Sequence, residues 1–175
     1  MAIRRIVKYG DAGLGAPTRE VTEIDDLIRD LVRDMIETMY AAPGVGLAAN
    51  QVGVPLRVAV IDITAGQEPG NAIVLINPRI AEAEGKQVEE EGCLSVPGFT
   101  EFVQRPARAV VKALDLEGKP FTLEGRDLLA RAFCHETDHL DGKLFLERLG
   151  GIKRQLLTKR VRRAADNGDW NEVYP

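Results

Sequence analysis

The stretch from Gly125 to Asp141 has good helix formers, no internal Gly or Pro, and Gly142 placed as its stop, so it predicts a helix. It also carries both histidines of the chain, His135 and His139, in the order His135-Glu136-Thr137-Asp138-His139. Residues four apart lie on one helical face, so both imidazoles can reach one metal ion, with Glu136 beside that face. Leu128 and Ala132 fall in the same stripe, which brings the histidines out on the buried side of the helix.

The elements around it are of mixed type. From Thr22, TEIDDLIRDLVRDMIETMY spaces Ile24, Leu27, Ile28, Leu31, Met35 and Met39 as a one-sided helix. Thr22 followed by Asp25 resembles its capping signal, and Pro43-Gly44 closes it. Arg57 to Ile63 and Ala72 to Pro78 are short, β-branched and bounded by Gly, Asn or Pro, so both predict strands. Arg108 to Glu124 forms two extended runs around Glu117-Gly118, a hairpin signal. A basic amphipathic helix, GIKRQLLTKRVRRAADNG, follows and leads into a polar tail. Strands in the middle flanked by helices, without regular βαβ alternation, predict an α+β fold. The expected architecture is mostly antiparallel sheets around a central helix carrying the histidines, with an N-terminal and a C-terminal helix. The length, 175 residues, predicts a single domain over 1–175.

Charge and cysteine usage narrow the function classes. With 23 basic and 27 acidic side chains the net charge is −4, against a dedicated or sequence-specific nucleic-acid binder. No run is long and apolar enough to span a bilayer, so no membrane partner is expected. Two cysteines, Cys93 and Cys134, are too few for a disulfide framework, and MAIRRIVKYG lacks the apolar run of a secretory signal, so a reducing cytoplasm is the expected compartment.

A catalytic site of this kind needs three protein ligands and an open position, so a third donor must come from a cysteine or a carboxylate. Cys134 precedes His135 directly, and about 100° of helical rotation turns its side chain away from the histidine face. Cys93, in EEEGCLSVPG after a glycine that allows close backbone approach, is the better candidate. A small buried hydrophobe is the alternative for either thiol. Thiolate with two imidazoles suits Zn2+ or Fe2+. Such an ion activates water near neutral pH, and Glu136 is placed to accept its proton, so the chemistry expected is metal-assisted hydrolysis of a carbonyl compound.

Three segments in order, GVGLAANQ (Gly44 to Gln51), EGCLS (Glu91 to Ser95) and HETDHLDG (His135 to Gly142), resemble the peptide deformylase family. The resemblance covers nearly the whole chain. It implies an enzyme that removes the N-formyl group from the N-terminal formylmethionine of nascent polypeptides and releases formate. It also implies Cys93, His135 and His139 as ligands of one Fe2+ or Zn2+ and Glu136 as general acid/base. Gln51 and the Leu94 N–H would be donors to the oxyanion, and Val45 and Gly46 would hold the substrate backbone. The methionine side chain would need an apolar pocket, for which Leu94 and Phe133 are candidates, although periodicity places Phe133 more naturally in ordinary core.

Cys134 stands where the family often has glutamine, and altered helix packing without altered chemistry is the expected consequence. Asp138 and Arg105 are candidates for an ion pair behind the ligands, with a solvated Asp138 as the alternative. Lys153, Arg154, Lys159, Arg160, Arg162 and Arg163 crowd the last helix. They read either as a solvated face or as a ribosome contact, the latter resembling the use of this helix in some family members. Two rival functions remain at this point: a metalloendopeptidase, which usually finds its third ligand downstream, and a binding protein whose metal site is closed by a fourth ligand.

Overall fold

The chain is described over residues 2–170 by a computed structural model. Its first helix, α1 (Asp26–Ala41), is capped by Asp25, whose carboxylate accepts from Ile28 N at 3.0 Å. The cap expected at Thr22 is therefore displaced to Asp25, a side chain that satisfies one of the donors a helix start leaves open. Ile28, Leu31, Val32, Met35 and Met39 are buried, whereas Leu27, counted on the apolar face by spacing, is 76% exposed.

Five strands form one antiparallel sheet in the order β1-β2-β3-β6-β7. They are β1 (Gly46–Ala48), β2 (Val58–Ile61), β3 (Ile73–Glu84), β6 (Arg108–Leu114) and β7 (Pro120–Arg126). β3 runs past its expected end at Pro78. The proline costs no ladder bond because the register with β6 shifts between Ile76 and Arg79, the position a missing N–H tolerates. The hairpin read around Glu117-Gly118 is β6–β7, and it extends to Arg126.

A second antiparallel pair, β4 (Gln87–Gly92) with β5 (Thr100–Arg105), lies outside the main sheet. β4 is the strand that the residues before Cys93 suggest, ending beside the helix; its pairing with β5 was not legible, since three consecutive glutamates carry no period of two. The central helix α2 (Asp127–Leu140) packs on β1, β2, β6 and β7. It starts two residues later than expected because Gly125 and Arg126 still belong to β7. Gly125 is needed for that junction: a Cβ there would lie 2.7 Å from Phe133 Cε2 and 2.8 Å from Leu129 Cγ.

After α2, a 3₁₀ turn (Phe145–Arg148) leads into α3 (Gly151–Asn167). Leu157 and Val161 of α3 join Val96, Val103, Phe145 and Leu146 in one apolar cluster. The α+β architecture, three helices with antiparallel sheets, is the one read from the sequence. Among the described residues no helix is long and apolar enough to cross a membrane.

Candidate metal centre

α2 places His135 and His139 one turn apart, with their Nε2 atoms separated by 3.1 Å and their rings at 69°. β4 ends at Gly92, so Cys93 enters a turn beside that helix, and its Sγ lies 3.2 Å from His139 Nε2. One ligand atom from each of the three residues lies within 4.8 Å of the others. Regular tetrahedral coordination sets imidazole donors about 3.3 Å apart, close to these separations.

The sulfur also accepts from Ser95 N at 3.4 Å and Gln51 Nε2 at 3.6 Å, which fix its position. His135 Nδ1 donates to Glu91 Oε1 at 2.6 Å, which fixes the ring and turns Nε2 toward the other two donors. Three electron-rich atoms this close repel one another unless a positive charge sits among them. The proton affinities show the same demand. Burial alone would lower the His135 pKa, but its hydrogen bonds to Cys93 and Glu91 hold it well above the usual value. Burial and the neighbouring His135 charge push His139 well below it. A thiolate with two imidazoles fits Zn2+ or Fe2+ as that positive charge.

Glu136, next to His135 on α2, lies against Gly46 of β1 and is 3% exposed. Its Oε2, like His139 Nδ1, has no hydrogen-bond partner among the described residues. Burial pushes its carboxyl up to about 7. β1 approaches so closely that a Cβ on Gly46 would lie 2.3 Å from Glu136 Oε1. Glycine is therefore what lets backbone and carboxylate share this space.

These groups open onto a cleft of about 360 Å³ that collects Val45, Gly46, Gln51, Cys93, Leu94, His135 and Glu136. Leu128, Ala132, Val96 and Phe99 make its walls largely apolar, while His139 is buried behind it. Gln51 is held at both ends of its amide: Oε1 accepts from Ala48 N at 2.9 Å and Nε2 donates to Ser95 Oγ at 3.2 Å. The structure thus brings together every sequence-derived candidate for ligation, acid/base work, oxyanion binding and backbone holding. Phe133 is not among them; it is fully buried on the other face of α2, against the sheet. Cys134 likewise points away from the donor cluster, toward Ile80 and Ala83 of β3.

Behind the ligands lies a buried ionic chain that pattern reading recovered only in part. Arg105 Nη1 donates to Asp138 Oδ2 at 2.6 Å, so Asp138 is a buried ion-pair partner and not a solvated residue. Arg105 also grips Glu91 with Nε at 3.0 Å and Nη2 at 2.6 Å. Burial alone would raise the Glu91 pKa, but the bonds from His135 and Arg105 outweigh it and hold the carboxyl down at about 2. Asn50 Nδ2 donates to the His139 carbonyl at 2.6 Å, and Arg148 binds Asp138 from the 3₁₀ turn. Glu91 was within a quoted motif; strand alternation separates it from Glu90, but only packing at the end of β4 buries it while Glu89, on the same face, stays exposed.

The family model described as polypeptide deformylase matches residues 3–155. A peptide deformylase of Acidobacterium capsulatum is 49% identical over 170 residues, covering 97% of this chain and 100% of that protein. One from Acetivibrio thermocellus is 54% identical over 149 residues, covering 85% of each. The crystal structure of a peptide deformylase from Legionella pneumophila superposes with a TM-score of 0.87 at 42% identity, over 95% of this chain and 98% of that one.

Proposed function

The chain belongs to the polypeptide deformylase family, and from that premise we propose how its own residues remove the formyl group from the N-terminal formylmethionine of new polypeptides, releasing formate. The observation that carries the reading is the convergence of Cys93, His135 and His139, at the back of one apolar cleft, beside a buried Glu136 carboxylate oxygen without a hydrogen-bond partner among the described residues. Cys93 Sγ and the two Nε2 atoms are the ligands of one divalent ion, Fe2+ or Zn2+. When bound, that ion supplies an activated water and polarises the formyl carbonyl.

The chain's residues do the rest. Val45 and Gly46 on the edge of the cleft align the substrate backbone, and the apolar walls take the methionine side chain. Glu136 accepts the proton of the attacking water and returns it to the departing amine. Its raised pKa suits the return step, and a cation held beside it favours the carboxylate needed for the first. Gln51 Nε2 and Leu94 N–H donate to the oxygen that becomes negative as the carbonyl is attacked. The bond from Ala48 N–H fixes the Gln51 amide at its Oε1, and one Nε2 N–H, held by Ser95 Oγ or Cys93 Sγ, turns to the oxyanion as the substrate arrives.

The test is formate release from a short formyl-Met peptide by protein loaded with Fe2+ or Zn2+, against an unformylated peptide with the same internal bonds. Stoichiometric formate and free α-amine support the reading, while cleavage of internal bonds would replace it with an endopeptidase. A ribosome contact belongs to the same proposal. Arg154, Lys159 and Arg162 are exposed on α3, whereas Lys153 pairs with Glu101 and Arg160 stacks 5.5 Å over Phe99. Changing Arg154, Lys159 and Arg162 to Gln should weaken cosedimentation with ribosomes at low salt. Unchanged cosedimentation removes the contact.

A further inference from the structure

Four side chains behind the ligands, one of them on α2 itself, form one continuous hydrogen-bonded series from the surface to a candidate ligand. Arg148 Nε donates to Asp138 Oδ2 at 2.9 Å, and its Nη2 binds Asp138 Oδ1. Arg105 joins Asp138 to Glu91, and Glu91 Oε1 accepts from His135 Nδ1. Only the outermost member reaches solvent: Arg148 is 44% exposed, against 8% for Asp138, 3% for Arg105 and 9% for Glu91.

Charge counting shows what Arg148 does there. Without it the two buried carboxylates share one guanidinium, and of the two only Glu91 keeps a second partner in the series, the His135 N–H. A buried carboxylate deprived of a partner is costly, and the nearest group able to answer it is Arg105. Arg105 already divides its donors, with Nη1 on Asp138 and Nε with Nη2 on Glu91. Drawn toward Asp138, it would loosen the two-pronged grip that fixes Glu91, and with it the acceptor that orients the His135 ring.

We propose that Arg148 is a positioning residue for the metal centre, holding the His135 ring in register through Asp138, Arg105 and Glu91. It does this from the 3₁₀ turn that leads directly into α3, so the C-terminal segment and the metal centre are mechanically joined. The inference rests on the ligand assignment proposed above. Partners that contact a ligand directly change metal affinity about 10–100-fold when removed, and Arg148 acts from farther out. The expected effect of Arg148→Ala is therefore about a tenfold faster release, at the low end of that range.

The experiment loads the full chain with Co2+ and follows the thiolate charge-transfer and visible bands, then measures release to a chelator. Wild type, Arg148→Ala and Leu157→Ala are compared. Leu157 is a buried member of the C-terminal apolar cluster but not of the hydrogen-bonded series, so its variant reports lost stability alone. Faster release and shifted visible bands in Arg148→Ala, with wild-type bands and release in Leu157→Ala, support the proposal. Unchanged release and bands in Arg148→Ala, or equal changes in both variants, overturn it while leaving the ligand assignment standing. Failure of wild type to bind Co2+ with a thiolate band overturns the ligand assignment and the inference together.

Discussion

Gly46→Ala is the most direct probe of the proposed site because it adds one methyl group and no charge. The new Cβ would lie 2.3 Å from Glu136 Oε1, 2.9 Å from its Cδ and 3.1 Å from its Cγ. A relaxed carbon–oxygen contact is about 3.3–3.6 Å, so the carboxylate must retreat by about 1 Å. Gly46 does not have a positive φ, so alanine fits its backbone and can stabilise the chain by about 0.4–1 kcal/mol. The far end of a glutamate side chain can also yield at modest cost in stability. Catalysis is less forgiving, since a 1 Å misplacement of a reacting group costs about 100-fold, equivalent to about 2.7 kcal/mol of barrier. The expected result is a kcat about 100-fold lower for formate release, with bound metal and Tm near the wild-type values. Activity within twofold of wild type, with metal bound, would refute the placement of Glu136 as the proton carrier.

Gln51→Ala should lower kcat by about 10²–10³-fold with KM little changed, as for a lost oxyanion donor, measured as formate release against peptide concentration; a kcat within threefold would remove the role. Gly125→Ala drives a methyl into Phe133 and Leu129 where β7 meets α2, and should destabilise the fold by about 1–3 kcal/mol in urea titrations, whereas an unchanged midpoint would contradict the close approach. Burial, reinforced by the hydrogen bond to Asp62 at 2.7 Å, pushes the Tyr40 hydroxyl up to about 12. The unfolded chain releases that proton near pH 10, so between about pH 10 and 12 the folded state binds more protons and stability falls as pH rises. Thermal melts should show a shallower loss over this window in Tyr40→Phe, and identical slopes would rule out the coupling.

Chemistry written in contiguous residues was legible without coordinates. The spacing of His135, Glu136 and His139 needs only helical geometry to put two imidazoles on one face, and the same geometry turns Cys134 away. The apolar periods of α1 and the turn at Glu117-Gly118 likewise follow from local preferences. Position relative to distant chain was another matter. Cys93 became the preferred third ligand by elimination, but its 3.2 Å approach to His139 depends on where β4 ends against α2. A strand ending beside the helix was legible from the residues flanking Cys93, but its partner β5 was not, and three consecutive glutamates conceal which one faces inward. Pairing of Glu91 with Glu101 is a fact of register between two strands. Charge alone could not separate a solvated Asp138 from one shared by Arg105 and Arg148, since burial decides that, and burial is a property of the packed whole. Local sequence fixes which groups can do chemistry, through bond rotations and short-range spacing. Only long-range packing sets their mutual distances and excludes water from them, because those contacts join segments tens of residues apart.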